Sequence, residues 1–232
     1  VTALDAIGRA RLARDRGYAA RAVRLQEACT EMLAVHHVGL DVRGRWPMGP
    51  AVIVSNHVGY LETLAIAACI PCAPIAKAEV ASWPIIGAAA ARLGAMFVTR
   101  ERAYSRVRVL RRALSVLQAG VPVLNFPEGT TSDGTRLGVF SRGIFGAAQL
   151  AGVPVIPVAV RCASELTWHG NAPFVPHYLR FARMPAPSLR LDVLERIDSS
   201  RFSCADELAD FTYYRLARAL DLVGPRVLKV AS

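Results

Sequence analysis

From residue 51 onward the chain alternates short apolar runs with longer stretches of helical periodicity, and few architectures accept that rhythm. Apolar runs at 51–55, 73–77, 95–99, 121–126, 154–161 and 189–194 read as strands. Between them, 60–68, 83–93, 103–119, 142–151 and 205–222 read as helices. Strands and helices alternating on this scale predict an α/β domain: a mostly parallel central sheet flanked by helices. No internal repeat and no linker divides it.

Residues 5–36 have a different pattern. Leu12, Ala19, Ala20, Val23, Leu25, Cys29, Met32 and Leu33 recur at near-helical spacing between arginines, and Gly8 and Gly17 are the only Gly or Pro there. This predicts one or two basic amphipathic helices as an N-terminal appendage. The expected division is therefore residues 1–45, an amphipathic helical region, and 46–232, the α/β domain. Such a helix either covers the core with its charged face in water or lies in lipid headgroups.

Composition narrows the functional classes. With 53% apolar and 20% charged residues over 232 positions, the chain is neither disordered nor low in complexity. The net charge is +10, and all of the 28 basic residues except Lys77 and Lys229 are arginines. An anionic partner is expected: nucleic acid, anionic lipid or a phosphorylated substrate. A mean hydropathy of +0.31 alongside that charge favours a membrane surface. Nucleic-acid binding would interleave aromatics with the basic residues, yet between Arg100 and Arg112 six arginines accompany only Tyr104. No nucleic-acid partner is expected. The five cysteines, odd in number and irregular in spacing, predict reduced thiols, with Cys69-Ile70-Pro71-Cys72 a pair of small residues around a turn. No His, Asp or Glu cluster has metal-ligand spacing, so no metal is expected.

The longest uncharged stretch, 143–160, is broken by Gln149, Gly152, Pro154 and Pro157, and reads as helix, turn and strand rather than a membrane span. The first thirty residues carry arginines throughout and show no signal peptide. The expected location is peripheral, on the cytoplasmic face of a membrane; an anchor upstream of Val1 is compatible with this.

Three clusters carry potential chemistry. Asn56-His57-Val58-Gly59-Tyr60-Leu61-Glu62 comes directly after the strand at 51–55, where α/β sheets place reactive groups. With His57 in the turn and Glu62 in the first helical turn, the carboxylate can hold the imidazole tautomer and make His57 a general base. Phe126-Pro127-Glu128-Gly129-Thr130-Thr131-Ser132-Asp133-Gly134 comes at the end of the strand at 121–126. It is a turn either way. It can also bring Glu128, hydroxyls and backbone N–H groups to a polar substrate. Phe97-Val98-Thr99-Arg100 ends a third strand, and Arg100 has the fork to bind a phosphate. The arginines from Arg102 to Arg112 read as a solvated helix face, or one set against anionic lipid.

Taken in order, Asn56-His57-x4-Glu62, Gly94-Ala95-Met96-Phe97-Val98-x-Arg100, Phe126-Pro127-Glu128-Gly129-Thr130 and Val153-Pro154-Val155-Ile156-Pro157-Val158 resemble the four blocks of the glycerolipid/lysophospholipid acyltransferase superfamily. The resemblance spans residues 46–161. It implies acyl transfer from a thioester, acyl-CoA or acyl carrier protein, to the hydroxyl of a lipid acceptor such as 1-acylglycerol-3-phosphate, with no cofactor beyond that co-substrate. It implies His57 as general base and Glu62 as its orienting partner. It also implies Arg100, Glu128, Gly129, Thr130 and Thr131 as the acceptor site, and backbone N–H groups near Gly129 as oxyanion donors.

Two positions depart from the family pattern. The acid of the first block is usually Asp, and here it is Glu62. The third block usually continues with an Arg that helps to hold the acceptor phosphate, and here it is Thr131. The run Glu-Gly-Thr-x-Ser-Asp-Gly, with Trp168, Gly170, Pro176 and His177 downstream, is similar to the branch that acylates lyso-ornithine and related aminoacyl lipids. His169 and His177 otherwise read as surface or loop histidines. A non-catalytic lipid-binding member of the same fold is the competing expectation, and an intact His57 argues against it.

Overall fold

The computed structural model describes residues 17–83, 86–170 and 172–222. In chain order the elements are α1 (Tyr18–Val35), β1 (Gly39–Arg43), β2 (Val52–Ser55), α2 (Leu61–Cys69), β3 (Ala73–Lys77), α3 (Ala78–Ala81), α4 (Ile86–Arg92), β4 (Met96–Val98), α5 (Ala103–Gln118), β5 (Val123–Asn125), α6 (Gly143–Ala151), β6 (Val155–Cys162), α7 (Phe174–Phe181), β7 (Ser188–Val193) and α8 (Ala205–Ala219). The seven strands form one sheet in the order β1-β7-β6-β2-β5-β3-β4. All neighbours pair in parallel except β6 and β7, which are antiparallel. The expected α/β class with a mostly parallel sheet is what the chain adopts.

Both sheet faces are covered. One core cluster joins Leu25, Cys29 and Leu33 of α1 and Leu61, Ala65 and Ile66 of α2 to Ile53, Leu124 and Ile156 of the sheet. Phe181 of α7 belongs to the same cluster. The other cluster joins Val109 and Ala113 of α5, Phe145 of α6 and Leu208 and Leu216 of α8 to Val52, Val54, Val123 and Val155. Alternate residues of β2 thus face opposite layers, and all four are buried.

The expected N-terminal appendage is not what the described residues show. Ala22, Leu25, Cys29 and Leu33 are buried at helical spacing, so α1 places its apolar stripe in the protein core. The part of the predicted helix before residue 17, including Leu12, lies outside the described residues. Strand β1 also joins the sheet, in register with β7 from Gly39↔Ser188 to Arg43↔Asp192. It is an edge strand, exposed at four of five positions, and so lacks the apolar run by which the other strands are recognised. The short helix α7 likewise had no sequence counterpart. Its eight residues contain Pro176, which is tolerated in a first turn where backbone N–H groups have no helical partner. The helix expected over 83–93 is present as α4; residues 84 and 85 lie outside the described residues.

Chain direction sets where the site lies. Strand β2 leads through α2 to β3, on one side of the sheet, whereas β5 leads through α6 to β6, on β2's other side. Helices α2 and α6 cover opposite faces. The carboxyl ends of the adjacent parallel strands β2 and β5 therefore border the crevice where the connections diverge. Among the described residues no helix is long and apolar enough to cross a membrane.

Asn56 secures that edge. Its side-chain amide donates to the Val160 carbonyl at 3.0 Å and its carbonyl oxygen accepts the Val160 N–H at 2.8 Å, extending the β2–β6 ladder past its last backbone pair. Asn56→Ala would leave both buried Val160 groups unpaired. The expected loss is roughly 2–4 kcal/mol, read as a fall of roughly 5–15 °C in Tm. A melting temperature within a degree of the parent would show that this clamp adds nothing.

Candidate active site

His57 occupies the first turn beyond β2 and Glu62 the first turn of α2, so the five-residue separation closes into contact. The His57 Nδ1 lies 2.6 Å from Glu62 Oε1. The same oxygen accepts the Val58 N–H at 2.9 Å and the Gly59 N–H at 2.8 Å. Glu62 is 1% exposed, and its other oxygen, Oε2, has no hydrogen-bond partner among the described residues. An ionised carboxylate in this position accepts the hydrogen bond that Nδ1–H donates, and in that tautomer Nε2 is the ring nitrogen with the free lone pair. The imidazole is 17% exposed. Its flat face stacks on Phe126, with ring centroids 4.2 Å apart and planes inclined by 19°. One edge is thus fixed by Glu62 and one face by Phe126.

Glu128 ties the two strand ends together. Its Oε1 accepts the His57 N–H at 2.9 Å, and its Oε2 accepts the Gly138 N–H at 2.7 Å. The approach to residue 138 is close: a Cβ there would sit 3.0 Å from Oε2, so a side chain would have to push the carboxylate aside. Burial raises the Glu128 carboxyl above its ordinary range, and the Gly138 and His57 amides partly offset this. The loop after Glu128 also closes over His57: the Ser132 N–H donates to the His57 carbonyl at 2.8 Å.

Arg100 reaches this loop from the end of β4, although β3 lies between β4 and β5. Gly129 adopts φ +75°, and its Cα side lies against the guanidinium, with a Cβ position 3.6 Å from Arg100 Nε. Glycine alone adopts that conformation at no steric cost. Burial lowers the Arg100 pKa, while Glu79 and Glu101 pull it back. The Gly129 N–H donates to the Phe126 carbonyl at 3.1 Å, which closes the turn. Thr130 is exposed and Thr131 half-buried on the same loop.

The structure therefore brings His57, Glu62 and Glu128 into one hydrogen-bonded group, with Arg100 and Gly129 together beside it. Thr130 and Thr131 share their loop. Other arginines are placed elsewhere. Arg142 pairs with Asp206, and Arg136 is exposed near Asp133. Sequence reasoning missed Phe126 as the stacking partner and Gly138 as the second ligand of Glu128. It also missed His177, which is not a surface residue but 2% exposed, with its Nδ1 3.2 Å from the Tyr60 hydroxyl. His169 is exposed, as expected. All five cysteines are free, and burial pushes the Cys29 thiol up to about 12.

The fold and sequence agree with known proteins. The chain is similar to the 1-acyl-sn-glycerophosphate (LPA) acyltransferase PlsC of Thermotoga maritima, with a TM-score of 0.71 and 23% identity over 97% of this chain and 89% of that one. It is 33% identical over 171 residues to a lyso-ornithine lipid O-acyltransferase of Pseudomonas aeruginosa, covering 71% of this chain and 66% of that protein. It is 35% identical over 136 residues to a 1-acyl-sn-glycerol-3-phosphate acyltransferase of Neisseria meningitidis, covering 58% and 53%. The chain thus spans between half and two thirds of the length of these curated relatives. The Acyltransferase family profile matches residues 35–161, a span that holds His57, Glu62, Arg100 and the loop from Phe126. With its sheet, its paired strand ends and this match over more than half its length, the chain belongs to the acyltransferase family.

Proposed function

We propose that the protein transfers a fatty acyl group from a thioester, acyl-CoA or acyl carrier protein, to the hydroxyl of a lyso-lipid, with His57 as general base. The observation that carries this reading is the His57–Glu62 contact at 2.6 Å, which leaves Nε2 as the free basic nitrogen. The acceptor hydroxyl gives its proton to Nε2 as its oxygen attacks the thioester carbonyl. The C–S bond then breaks and the imidazolium returns a proton to the departing thiolate. Glu62 stabilises the imidazolium between these steps. Glu128 still has lone pairs to accept from the acceptor hydroxyl. Gly129 uses its own N–H in the turn, so the oxyanion donors fall to the Thr130 and Thr131 amides next in the loop.

The relatives divide between two acceptors, and the cations near the loop bear on which one suits this chain. A phosphate monoester such as 1-acylglycerol-3-phosphate calls for more than one cationic fork, each charge-assisted bond contributing roughly 1.5–3 kcal/mol. Here Arg100 stands at the loop with Thr131 where the family usually has Arg, and Arg142 is engaged with Asp206. A single carboxylate on an aminoacyl headgroup, as in a lyso-ornithine lipid, pairs with Arg100 alone. This favours the aminoacyl lipid over the lysophosphatidate.

His57→Ala should lower kcat by about 10²–10⁴-fold with the fold intact. Near-normal turnover by the purified variant would remove His57 from the chemistry. Glu62→Gln keeps an acceptor oxygen for the Val58 and Gly59 amides but removes the charge behind the imidazole. It should also lower kcat strongly, by up to roughly 10⁴-fold as neutralising the orienting carboxylate of a Ser-His-Asp triad does; wild-type activity would show that Glu62 does not serve His57. For the acceptor, lysophosphatidic acid and lyso-ornithine lipid compete at equal concentration. A higher kcat/KM for lysophosphatidic acid would refute the aminoacyl preference. Thr131→Arg should shift the ratio towards lysophosphatidic acid, and an unchanged ratio would mean that position 131 does not read the headgroup.

A further inference from the structure

Helix α7 turns an apolar stripe outward. Its inner side is fixed: His177 and Phe181 are buried, and Phe174 packs on Tyr60 at 5.1 Å and on Trp83 at 4.4 Å between ring centroids. On the outer side Val175 is 61% exposed and Leu179 is 45% exposed, with Ala182 exposed one further step along. Residues 175, 179 and 182 stand at i, i+4 and i+7, one continuous line on a helix. Pro176 and the exposed arginines Arg180 and Arg183 flank that line, and neither arginine has a salt-bridge partner among the described residues. Half-buried Trp83, Trp168 and Tyr60 lie beside the helix, and amphipathic rings of this kind gather where an apolar phase meets water.

This surface is coupled to the site. Tyr60 lies three residues from His57 and meets His177 of α7, and the Trp168 N–H donates to the Val58 carbonyl at 2.7 Å. Other candidate lipid surfaces fit less well. Helix α1 has placed its apolar stripe in the core. The arginine-rich α5 belongs to the opposite face of the sheet from α7.

We propose that α7 seats the protein on an anionic lipid surface, with Val175, Leu179 and Ala182 entering the headgroup layer and Arg180 and Arg183 meeting its phosphates. The identity of the surface rests on the proposed lyso-lipid acyltransferase activity. An acceptor held in a bilayer carries its hydroxyl at headgroup depth. A shallow apolar stripe rigidly joined to the His57 loop delivers it there without extracting the lipid.

Vesicle flotation of the full chain tests this, using phosphatidylcholine alone and phosphatidylcholine mixed with phosphatidylglycerol. The parent should bind the anionic vesicles more strongly. The double variant Val175→Asp, Leu179→Asp should reduce binding at least about tenfold. It should lose transfer to a vesicle-borne acceptor while keeping transfer to a short-chain acceptor dissolved as monomers. Arg108→Glu with Arg111→Glu, on α5, should leave flotation largely intact. Full flotation by the folded α7 variant, loss of flotation only in the α5 variant, or no binding of the parent to either vesicle would overturn the proposal. Should the aspartates prevent folding, the parent's tryptophan emission is measured on vesicles of brominated lipid. Quenching is expected because Trp83 and Trp168 lie beside α7, and unquenched emission would equally overturn the proposal. Transfer to the dissolved acceptor reads the chemistry alone, so its absence in the parent counts against the proposed reaction and not against the lipid surface.

Discussion

Strand β2 is paired in parallel on both sides, to β5 and to β6, and all four of its residues are buried. Because β2 and β5 run the same way and lie side by side, their carboxyl ends emerge at the same sheet edge. The residues just beyond those ends are thereby forced into company: His57 after β2, Glu128 after β5. The Glu128 carboxylate turns that proximity into structure by accepting the His57 N–H, while Asn56 pins the same turn to β6 through Val160. The backbone of His57 is thus held from both neighbouring strands before its side chain makes any contact. Such support is what a positioned base requires, since its usefulness depends on geometry as much as on proton affinity.

How much of this the sequence discloses depends on which signal each element carries. The other six strands, five of them internal and β4 at the opposite edge, are legible because mostly buried strands carry apolar runs, such as Val155-Ile-Pro-Val-Ala-Val. The edge strand β1 escapes because Gly39-Leu-Asp-Val-Arg faces solvent on most of its length and has no apolar run to show. Helix α7 escapes because Pro176 mimics a helix breaker where it is a first-turn residue. At the site, His57, Glu62 and Glu128 are legible from their place after strands and from the ordered blocks. Phe126 and Gly138 are not, because their contacts depend on how the loop folds back, which no local pattern encodes. His177 is misread for a related reason: one histidine in a short loop-like segment looks exposed until α7 is seen to bury it against Tyr60.

The charge of the chain is distributed unevenly, and its placement matters more than its sum. On α5, Arg106, Arg108 and Arg111 are exposed, and this helix covers the face opposite α7. Other arginines are neutralised locally: Arg142 by Asp206, Arg161 by Asp192 and Asp221, Arg215 by Glu195. The Arg142–Asp206 pair, exposed on both sides, contributes little to stability. All three paired arginines drop out of the search for a phosphate-binding cation, which is why Arg100, half-buried against Gly129, stands out.

The substitution of Glu for the usual Asp at position 62 has a local explanation. Residue 62 lies in the first turn of α2, and its carboxylate must reach back to Nδ1 of His57 and to the amides of residues 58 and 59. An aspartate would retract the carboxylate by about 1.5 Å, one carbon–carbon bond, unless the turn moved inward. The glutamate spans that distance with the backbone as it stands, and at Gly59 the close approach is to Trp168, whose nitrogen would lie 3.2 Å from a Cβ there. A buried anion at a helix start, fed by three N–H donors on a single oxygen, is favoured by the helix dipole and by charge-assisted bonds. The cost is Oε2, a buried acceptor without a partner among the described residues. Retaining that cost is physically reasonable where a negative charge behind the imidazole is what the site must supply.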